Sequence, residues 1–405
     1  MKRTLLIVGG GIETIPGVIR AKEMGLRILI IDGNPKAPCF ELADDYRIAS
    51  TYDVDAVVKS ALDYHTHSHK IDGVMCIASD IPHTVASVAA ALNLPGVPVP
   101  IAFMMVDKLA MKDHFAKHGI PIPWYQAIKS VDELKSIVEQ RGYDLVIKPV
   151  DSRGARGVLR LSSDIDLDWA FSHSHSESPS HRVMVEQFLA GPQVSTESIV
   201  QNGKAYTLGF SDRNYEFLDR YAPHIIENGG DLPGHMIEEV REMVCNLIQN
   251  ISDALGLQSG VIKGDIVIHQ GRPHVIEVAT RLSGGYFCTH EIPLNTGVDF
   301  VGGAIKLALG ESISENELAP QFNRPVCQRY LFTQPGEIIS IEGVEEVASR
   351  PSIKLCEVRV KVGDMIPEVS NHVARPGVVI AVGDTTLEAR EQAESAIRDI
   401  KINTR

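Results

Sequence analysis

Along the first hundred residues of the chain, short apolar runs alternate with segments whose apolar positions recur at helical spacing. The apolar runs occupy residues 4–8, 27–31 and 73–77, and a helical pattern follows each of them. Strands that alternate with helices in this way are typical of a parallel sheet with helices on both faces. The pattern therefore predicts a doubly wound α/β domain over residues 1–100.

Three prolines, Pro95, Pro98 and Pro100, mark the end of this domain. After them the apolar runs follow one another with fewer helical segments between them. We predict a central domain over residues 101–310, because its strands are closely spaced. The remaining residues, 311–405, contain short strands and a last helix and predict a small α+β domain with no evident chemistry.

Two polar stretches stand out in the central domain. Residues 172–180, SHSHSESPS, have no apolar period and predict a mobile surface loop with solvated histidines. Residues 208–233 contain Arg, Tyr and His between apolar runs and are expected to interrupt the sheet. Long inserts of this composition beside a sheet are typical of binding loops.

Composition narrows the classes of function. The chain has 405 residues with 39 Lys+Arg against 52 Asp+Glu, a formal net charge of -13. This charge disfavours a nucleic acid or an anionic membrane as the main partner.

The apolar run at the N-terminus is too short for a signal peptide, so the cytoplasm is the expected location. The six cysteines have no paired spacing and predict reduced thiols, with Cys288 the one nearest the candidate site.

Two acids give the strongest chemical signal. Asp265 and Glu277 lie in adjacent apolar strands separated by a tight turn, so both carboxylates can return to one place. Arg281 and the pair Gly284 and Gly285 follow. Two hard oxygen ligands beside a guanidinium indicate a magnesium and phosphate site.

A second signal lies about 120 residues earlier. Lys148 ends an apolar strand, and the glycine-containing loop at residues 151–158 follows directly. A lysine at a strand end and a loop whose backbone N–H groups can close over phosphates are typical of a nucleotide triphosphate site. This is not a P-loop, because no Gly-Lys-Ser/Thr opens a helix. The apolar strand at residues 183–189 could pair its backbone with an adenine ring.

At these residues the chain resembles the ATP-grasp superfamily, whose members ligate a carboxylate to an amine or a thiol. The resemblance covers most of the chain and includes L-amino acid ligases, biotin carboxylase and the large subunit of carbamoyl phosphate synthase. It implies a three-part α/β architecture: a parallel N-terminal domain, a two-lobed ATP-grasp domain and a small α+β C-terminal domain. The small lobe would span about residues 120–190 and the large lobe about residues 191–310.

The resemblance implies a binding site for ATP. Two lysines would contact the phosphates, the glycine loop would fold over them, and Glu186 would accept the adenine amino group. Gln193 stands where the family usually holds the ribose with Glu. The implied ATP-binding residues are Lys108, Lys148, Ser152, Gly154, Gly157, Glu186, Gln187, Phe188, Leu189 and Gln193.

The resemblance also assigns the metal ligands and the catalytic cations. Asp265 and Glu277 match two magnesium ligands, and Arg281 matches the arginine that steadies the transferred phosphoryl group; with Lys148 it is an implied catalytic residue. The family usually has Asn two residues after the second acid, whereas this chain has Ala279. One or two Mg²⁺ ions are therefore expected, with Mn²⁺ as a substitute.

The implied reaction is an ADP-forming ligation of carbon to nitrogen. A small carboxylate, expected to be an amino acid, attacks the γ-phosphate to form an acyl-phosphate, and an amine then displaces the phosphate. Both substrates are small molecules, and a homodimer is the expected assembly. The residues expected to contact them are Arg213, Tyr215, Arg220, Tyr221, His224, Ser283 and Gly284.

Two other functions stay open from the sequence. The first is activation of bicarbonate, as in carboxylases, although no Met-Lys-Met for biotin attachment is present. The second is a non-catalytic nucleotide-binding or nicotinamide-dependent role, suggested by the glycines at residues 9–11 and by Asp32. The dinucleotide fingerprint requires a third glycine where Thr14 stands, so that signal is weak.

Overall fold

The computed structural model describes residues 2–405 and begins with a four-stranded parallel sheet. The strands and helices of this domain are β1 (Thr4–Val8), α1 (Ile15–Glu23), β2 (Arg27–Asp32), β3 (Asp45–Ile48), α2 (Val54–His67), β4 (Ile71–Met75) and α3 (Pro82–Ala91). The strand order is β3-β2-β1-β4. The central strand β1 is fully buried and β2 is buried except at its two ends, as their apolar sequences require. The predicted doubly wound α/β domain is confirmed.

The next part of the chain forms a second, antiparallel sheet with helices packed against it. Its elements are α4 (Val99–Met104), α5 (Lys108–Lys117), β5 (Tyr125–Ile128), α6 (Val131–Arg141), β6 (Leu145–Pro149), β7 (Leu159–Arg160), α7 (Leu167–Ser176) and β8 (Val183–Gln187). The strand order is β5-β8-β6-β7. We call this sheet and its helices α6 and α7 the small lobe. The glycine loop connects β6 to β7 and is therefore a hairpin loop.

The predicted mobile loop at residues 172–180 is wrong. Asp166 caps the N-terminus of α7 by accepting from two backbone N–H groups, and the helix continues through the serine- and histidine-rich segment to Ser176. Ser174 and Ser178 are buried. Their hydroxyl groups contact the glycine loop, so tertiary contacts override the loop-like composition.

An eight-stranded sheet forms the large lobe and continues into the C-terminal part of the chain. The elements of this region are β9 (Gln193–Gln201), β10 (Lys204–Asn214), β11 (Gly229–Leu232), α8 (Glu238–Ala254), β12 (Ser259–His269), β13 (Arg272–Ala279), a π-helix (Phe287–Glu291), α9 (Ile292–Thr296), α10 (Phe300–Ala308), α11 (Glu315–Leu318), β14 (Val326–Tyr330), β15 (Gly336–Glu342), α12 (Val344–Ala348), β16 (Ile353–Val358), β17 (Met365–Ile366), β18 (Gly377–Val382), α13 (Thr386–Asp399) and β19 (Lys401–Thr404). The strand order of the large sheet is β13-β12-β9-β10-β11-β14-β18-β16.

The polar stretch at residues 208–233 does not interrupt this sheet. Its first residues belong to β10 and its last to β11, and these two strands pair with each other. Only residues 215–228 between them form a loop. The expected interruption is therefore wrong, because the two strand segments are short and carry polar side chains that hide the strand pattern.

The largest apolar core joins the N-terminal sheet to the large lobe. Leu5 and Ile28 of the parallel sheet, Phe300 of α10 and Val326 of β14 belong to one buried cluster. A second cluster packs α8 against β9, β12 and β13. The small lobe has a separate core of its own. No helix within residues 2–405 is both long and apolar enough to cross a membrane.

Candidate active site

A cavity of about 1250 Å³ lies between the small lobe and the large sheet, with the N-terminal domain and a C-terminal segment as its other walls. It brings together most of the residues singled out in the sequence. Those on its wall are Lys108, Lys148, Ser152, Gly154, Glu186, Gln187, Phe188, Leu189, Gln193, Arg213, Tyr215, Asp265, Glu277, Arg281, Ser283 and Gly284. The cavity wall does not include Gly157, Arg220, Tyr221 or His224.

Asp265 and Glu277 are direct cross-strand partners. β12 and β13 are antiparallel, and their register places these two residues opposite each other. Side chains that are directly opposite lie on the same face of a sheet. A bulge follows at once, because Ile266 pairs with Val275. Both carboxylates therefore point into the cavity from one edge of the large sheet.

Asp265 is surrounded by positive charge. Its Oδ2 lies 2.5 Å from the Nζ of Lys263, and its Oδ1 lies 3.0 Å from Nη1 of Arg213. The hydroxyl of Ser195 also donates to Oδ1, at 3.1 Å. Burial favours the neutral carboxyl, but Arg213 and Lys263 together hold the pKa of Asp265 well below its usual range. We call Asp265, Lys263 and Arg213 the large-lobe cluster.

Lys263 occupies a position of its own in this cluster. It lies directly across from Ala279 in the register of β12 and β13. Ala279 has only a methyl side chain, so it leaves room beside the longer side chain of Lys263. Sequence analysis did not single out Lys263. Its position two residues before Asp265, on the same face of the strand, was the available signal.

Glu277 is more accessible than Asp265. Its side chain is 42% exposed, and the Nζ of Lys108 lies 3.3 Å from its Oε1. The same ammonium group donates a hydrogen bond of 2.7 Å to the backbone oxygen of Ser152 in the glycine loop. Lys108 therefore connects the second acid to the loop from the N-terminus of α5.

Lys148 and Lys112 both contact the carboxylate of Glu186. Lys148 donates to Oε1 at 2.5 Å, and the Nζ of Lys112 lies 2.9 Å from Oε2. The second contact lacks the angle of a hydrogen bond, so we treat it as an ion pair. Burial lowers the pKa of Lys148 to about 8, although Glu186 opposes the shift. These three residues are the small-lobe cluster.

This arrangement bears on the role expected for Glu186. Its side chain is almost fully buried and already has a lysine at each oxygen. An adenine amino group would have to compete with two ammonium groups for that carboxylate. The backbone of Gln187, Phe188 and Leu189 lies on the cavity wall. The role of the Glu186 side chain at adenine stays a prediction.

The glycine loop has a defined shape. Gly154 and Gly157 have φ of +63° and +68°, in the left-handed region that favours glycine. A side chain at Gly157 would also meet Pro149 at 2.8 Å. The buried hydroxyl of Ser174 donates to the oxygen of Gly157, and Ser178 donates to Asp151 at 2.6 Å. Helix α7 and the turn after it therefore hold the loop in place.

The N-terminal domain supplies side chains that sequence analysis missed. Asp80 follows β4 and accepts from Nε of Arg281 at 2.7 Å and also from Nη2. Glu13 accepts from the backbone N of Gly285 at 2.7 Å. Ligands of parallel sheets bind beyond the carboxyl ends of the strands. The positions of Glu13 after β1 and Asp80 after β4 were therefore the sequence signal for both acids. They fix the segment that carries Arg281 and Ser283.

Ser283 is held from the large sheet. Its backbone N donates to Glu197 at 2.8 Å, and its hydroxyl donates to the other oxygen of the same carboxylate. Burial raises the pKa of Glu197 to about 7 although these bonds oppose it. Cys288 is buried nearby, its pKa is raised well above the usual value by burial, and it donates to the oxygen of Ser283. A thiol of that kind is a poor nucleophile.

Three residues expected to contact substrate, Arg220, Tyr221 and His224, do not lie on the cavity wall. The guanidinium of Arg220 lies over the rings of Phe217 and Tyr221. Tyr221 stacks on Phe332, with ring centroids 5.5 Å apart. His224 pairs its backbone with Leu159. All three belong to the loop at residues 215–228, which reaches the cavity wall through Tyr215, Ile225 and Glu227 but not through these three side chains.

The nicotinamide alternative depends on Asp32, but the carboxylate of Asp32 already accepts hydrogen bonds from the backbone around its own turn. It accepts from the backbone N of Gly10 at 2.6 Å and of Asn34 at 2.7 Å.

The six cysteines are all free thiols, as expected. Within residues 2–405, no group of three or more His, Cys, Asp or Glu side chains is arranged to hold a metal ion.

The C-terminal segment at residues 359–376 closes one side of the cavity. Its residue His372 donates its backbone N–H to the oxygen of Gly154 at 3.0 Å, and the backbone N–H of Glu227 donates to Nε2 of His372 at 3.3 Å. Arg359 pairs with Glu13 at 2.7 Å. The expectation that the C-terminal domain has no evident chemistry is therefore wrong, because this segment reaches the site from beyond the strands.

Comparison with known proteins gives a family for two parts of the chain. Residues 105–285 match the ATP-grasp domain, and residues 329–405 match the L-amino acid ligase C-terminal domain 2. A curated relative, the uncharacterized protein y4rH of Sinorhizobium fredii, is 26% identical over 388 residues, which are 94% of this chain and 78% of the relative.

Two solved structures share the fold over the whole chain. The L-amino acid ligase from Bacillus licheniformis has a TM-score of 0.83 and 22% identity, covering 100% of this chain and 99% of its own. The biotin carboxylase domain dimer of the Hydrogenobacter thermophilus 2-oxoglutarate carboxylase, in complex with MgADP, ADP and bicarbonate, has a TM-score of 0.76 and 17% identity, covering 100% and 91%. The chain therefore contains an ATP-grasp domain, followed by a C-terminal domain of the kind found in L-amino acid ligases.

Proposed function

We propose that this ATP-grasp ligase activates a small carboxylate, an amino acid, as an acyl-phosphate and joins it to an amine, with release of ADP and phosphate. The observation that carries the proposal is the pairing of Asp265 with Glu277 across β12 and β13, facing the lysines of the small lobe over one cavity. Two acids and several cations on the wall of one cavity suit a magnesium nucleotide.

The cations fall into two groups with separate tasks. Lys108 and Lys148 lie where they would neutralise the phosphates of ATP, and the backbone of the glycine loop would close over them. Arg213 pairs with Asp265 of the large sheet, and Arg281 pairs with Asp80 of the N-terminal domain. They would stabilise the charge that spreads over the transferred phosphoryl group and the acyl-phosphate. Asp80 positions Arg281 for that task.

The donor set fits magnesium. Asp265 and Glu277 provide hard oxygen atoms on one face of the sheet, and phosphate oxygens and water would complete the shell that Mg²⁺ prefers. When bound, the ion would polarise the γ-phosphate as a Lewis acid. Because Lys263 and Arg213 already neutralise Asp265, Glu277 is the more available of the two ligands.

Water must be excluded, because an acyl-phosphate hydrolyses readily. The glycine loop is bonded to the C-terminal segment through His372 and to α7 through Ser174, so three parts of the chain cover the reacting groups. This enclosure means that catalysis would depend on positioning and electrostatics rather than on a side-chain nucleophile. The chemical properties of Cys288 agree with that conclusion.

The volume of the cavity supports an organic acid over bicarbonate. The cavity has a volume of about 1250 Å³, and Arg213, Tyr215 and the C-terminal segment line it together with the lysines. Pockets of this size typically enclose most of an organic ligand. We therefore propose activation of an organic acid first and activation of bicarbonate as the second candidate reaction.

The test is phosphate release from ATP with magnesium, measured for amino acids and small carboxylic acids, singly and in pairs with amines. Release that requires both an acid and an amine, and that is lost in Glu277→Gln, is the expected result. Release with bicarbonate alone would favour the carboxylase alternative. No release with any pair, although ATP binds, would contradict the proposed ligase activity.

A further inference from the structure

A second, smaller cavity shares Arg281 with the candidate active site but is otherwise separate from it. It has a volume of about 90 Å³, and its wall is formed by the end of β4, by residues 95–97, by the start of β12 and by α10. The N-terminal domain, the segment that follows it and the large lobe therefore meet here. We call this cavity the junction pocket.

The wall of the junction pocket is mostly apolar and buried. Met75 at the end of β4 is 7% exposed, and Ala304 and Leu307 of α10 are each 6% exposed. Among the described wall residues, Arg281 alone is charged, and its guanidinium already pairs with Asp80. An ion would lose its hydration here without gaining a counter-charge, so the pocket suits an uncharged molecule.

Small residues keep the pocket open. Gly260 at the start of β12 has φ of +147°, in a region that favours glycine, and Ala304 and Ala308 contribute only methyl groups from α10. Pro95 and Gly96 also lie on the wall and are exposed, so the pocket has an entrance from solvent. The space is therefore fixed by the backbone and by short side chains.

Thr280 supplies a polar group to this apolar wall. It is 6% exposed, and it lines the junction pocket but not the active-site cavity. Its hydroxyl group is buried and has no hydrogen-bond partner within residues 2–405. Burial of a hydroxyl without a partner is unfavourable, because the group loses its hydrogen bonds to water. A ligand in the pocket would supply the missing partner.

Cys76 lies on the same wall but is not suited to covalent attachment. It is 4% exposed, and its thiol contacts the backbone oxygen of Ser79. Burial raises the pKa of this thiol to about 12. A neutral thiol is a poor nucleophile, so the occupant of the pocket would be held by non-covalent contacts.

The volume of the pocket limits the size of its ligand. An apolar cavity of about 150 Å³ holds benzene, so about 90 Å³ corresponds to a molecule of about four non-hydrogen atoms. We propose that the junction pocket binds a small uncharged aliphatic molecule of this size, with a single hydrogen-bonding group against the hydroxyl of Thr280. The inference goes beyond the proposed function and does not depend on it.

A bound molecule would contact the segment that follows β13. Leu282 lines the pocket and pairs with Ile77 of the N-terminal domain, and the backbone N–H of Ala78 donates to the oxygen of Leu282 at 3.3 Å. Arg281, the residue before it, lines both cavities. An occupant would therefore stabilise the junction between the N-terminal domain and the segment that carries Arg281.

Xenon tests the apolar part of the pocket. Methyl NMR of the whole chain would follow the methyl groups of Ala304 and Ala308 as the xenon pressure is raised, and both signals should shift and approach saturation. Ala304→Ile fills the pocket and should abolish the shift of Ala308. Leu307→Ala enlarges the pocket, so benzene should shift both signals in this variant but not in the unaltered chain.

Propan-2-ol tests the polar contact, because it matches the pocket in size and has a hydroxyl group. Thr280→Val keeps the shape of the side chain and removes its hydroxyl, so propan-2-ol should bind about fivefold more weakly while xenon binds as before. Ser252→Ala is the matched control. The hydroxyl of Ser252 is also buried without a partner within residues 2–405, but Ser252 is not on the pocket wall. The control should bind both probes as the unaltered chain does.

Three results would overturn the inference. The first is the absence of a saturable shift with xenon, or a shift that persists in Ala304→Ile. The second is equal affinity for propan-2-ol in Thr280→Val and in the unaltered chain. The third comes from a crystal under xenon pressure, in which xenon is expected between Thr280 and Ala304, if xenon is found only elsewhere. These measurements need no turnover, so their outcome is separate from that of the proposed function.

Discussion

The small-lobe cluster and the large-lobe cluster each surround one carboxylate with two cations, yet they differ in exposure. The side chains of Glu186, Lys112 and Lys148 are at most 4% exposed. Those of Asp265 and Arg213 are 12% exposed and that of Lys263 is 18% exposed. The same pattern of charge is therefore buried between α5 and the small-lobe sheet in one cluster, whereas in the other cluster it remains accessible to a ligand.

The difference also appears in the basicity of the cations. Burial dominates in the small lobe and lowers the pKa of Lys148, whereas the two acids beside Arg213 raise the pKa of that guanidinium despite its burial. A lysine with a lowered pKa exchanges its proton near neutral pH, but an arginine does not. We infer that Lys148 makes the small-lobe cluster sensitive to pH, whereas Arg213 keeps its charge in the large-lobe cluster.

The largest effect is expected from Glu186→Gln. The substitution leaves Lys112 and Lys148 buried without a counter-charge, which should lower the free energy of unfolding by about 3–5 kcal/mol. Urea denaturation measures this change. The control is Glu337→Gln, since Glu337 and Arg405 are a surface pair with 39% and 70% exposed side chains. The control should lose less than about 1 kcal/mol. Equal losses would mean that the small-lobe cluster contributes no more than a surface pair.

Arg213→Ala should break the large-lobe cluster without unfolding the protein. Arg213 joins Asp265 to Glu227, and loss of one preorganised donor should slow phosphate release by about 100-fold while ATP still binds. Arg220→Ala is the matched control, because that side chain lies only over two rings outside the cavity wall. It should change turnover little. Similar rates in the two variants would remove Arg213 from the proposed chemistry.

Lys263→Met should expose Asp265 to a metal ion. Two like charges about 4 Å apart repel by roughly 4 kcal/mol near a protein surface, so removal of the ammonium should strengthen Mn²⁺ binding by about tenfold even when screened. Electron paramagnetic resonance of bound Mn²⁺ in the presence of ADP measures affinity and stoichiometry. Lys306→Met, at a surface pair with Glu317, serves as the control. Unchanged Mn²⁺ affinity in Lys263→Met would contradict a role for Asp265 in metal binding.

The smallest effect is the dependence of ATP affinity on pH. Lys148, with its pKa at about 8, is charged below that pH and loses its charge above it. The Kd for ATP should therefore rise by up to about tenfold per pH unit above pH 8. Lys148→Arg should flatten the profile, since arginine keeps its charge. A flat profile for the unaltered chain would show that Lys148 does not face the phosphates.

The lowered pKa of Lys148 also affects folding, and the sign follows from proton binding. The unfolded chain, in which the lysine has its ordinary pKa of 10.5, binds more protons than the folded chain between about pH 8 and pH 10.5. The contribution of Lys148 to the free energy of unfolding should therefore rise with pH in that window. Lys148→Met should remove this rise in pH-dependent denaturation.

Local patterns were sufficient to predict much of the fold and the centre of the site. Three of the four strands of the N-terminal domain are largely apolar runs whose positions were predicted within a few residues, whereas the short polar strand β3 was not predicted. Asp265 and Glu277 could be placed together because a tight turn between two short strands leaves almost no other geometry. These predictions depend only on residues that are close in sequence.

The errors concern contacts between distant residues. Ser174 and Ser178 have a loop-like composition, but the glycine loop buries them. Asp80 binds Arg281 although 201 positions separate the two residues. The C-terminal segment carries no motif, and only the pairing of strands brings Arg375 to the cavity. No local pattern encodes such contacts, because the folded topology creates them.

Strands β11 and β14 pair along their whole length, which makes the region matched as an ATP-grasp domain inseparable from the C-terminal region. A polypeptide that ended before Val326 would leave β11 as an edge with unpaired N–H and C=O groups, and such edges recruit strands from other molecules. Asp231 on β11 would also lose both of its arginines, Arg329 and Arg390. Exchange of C-terminal regions between related ligases should therefore fail by aggregation unless β11 and β14 are exchanged together.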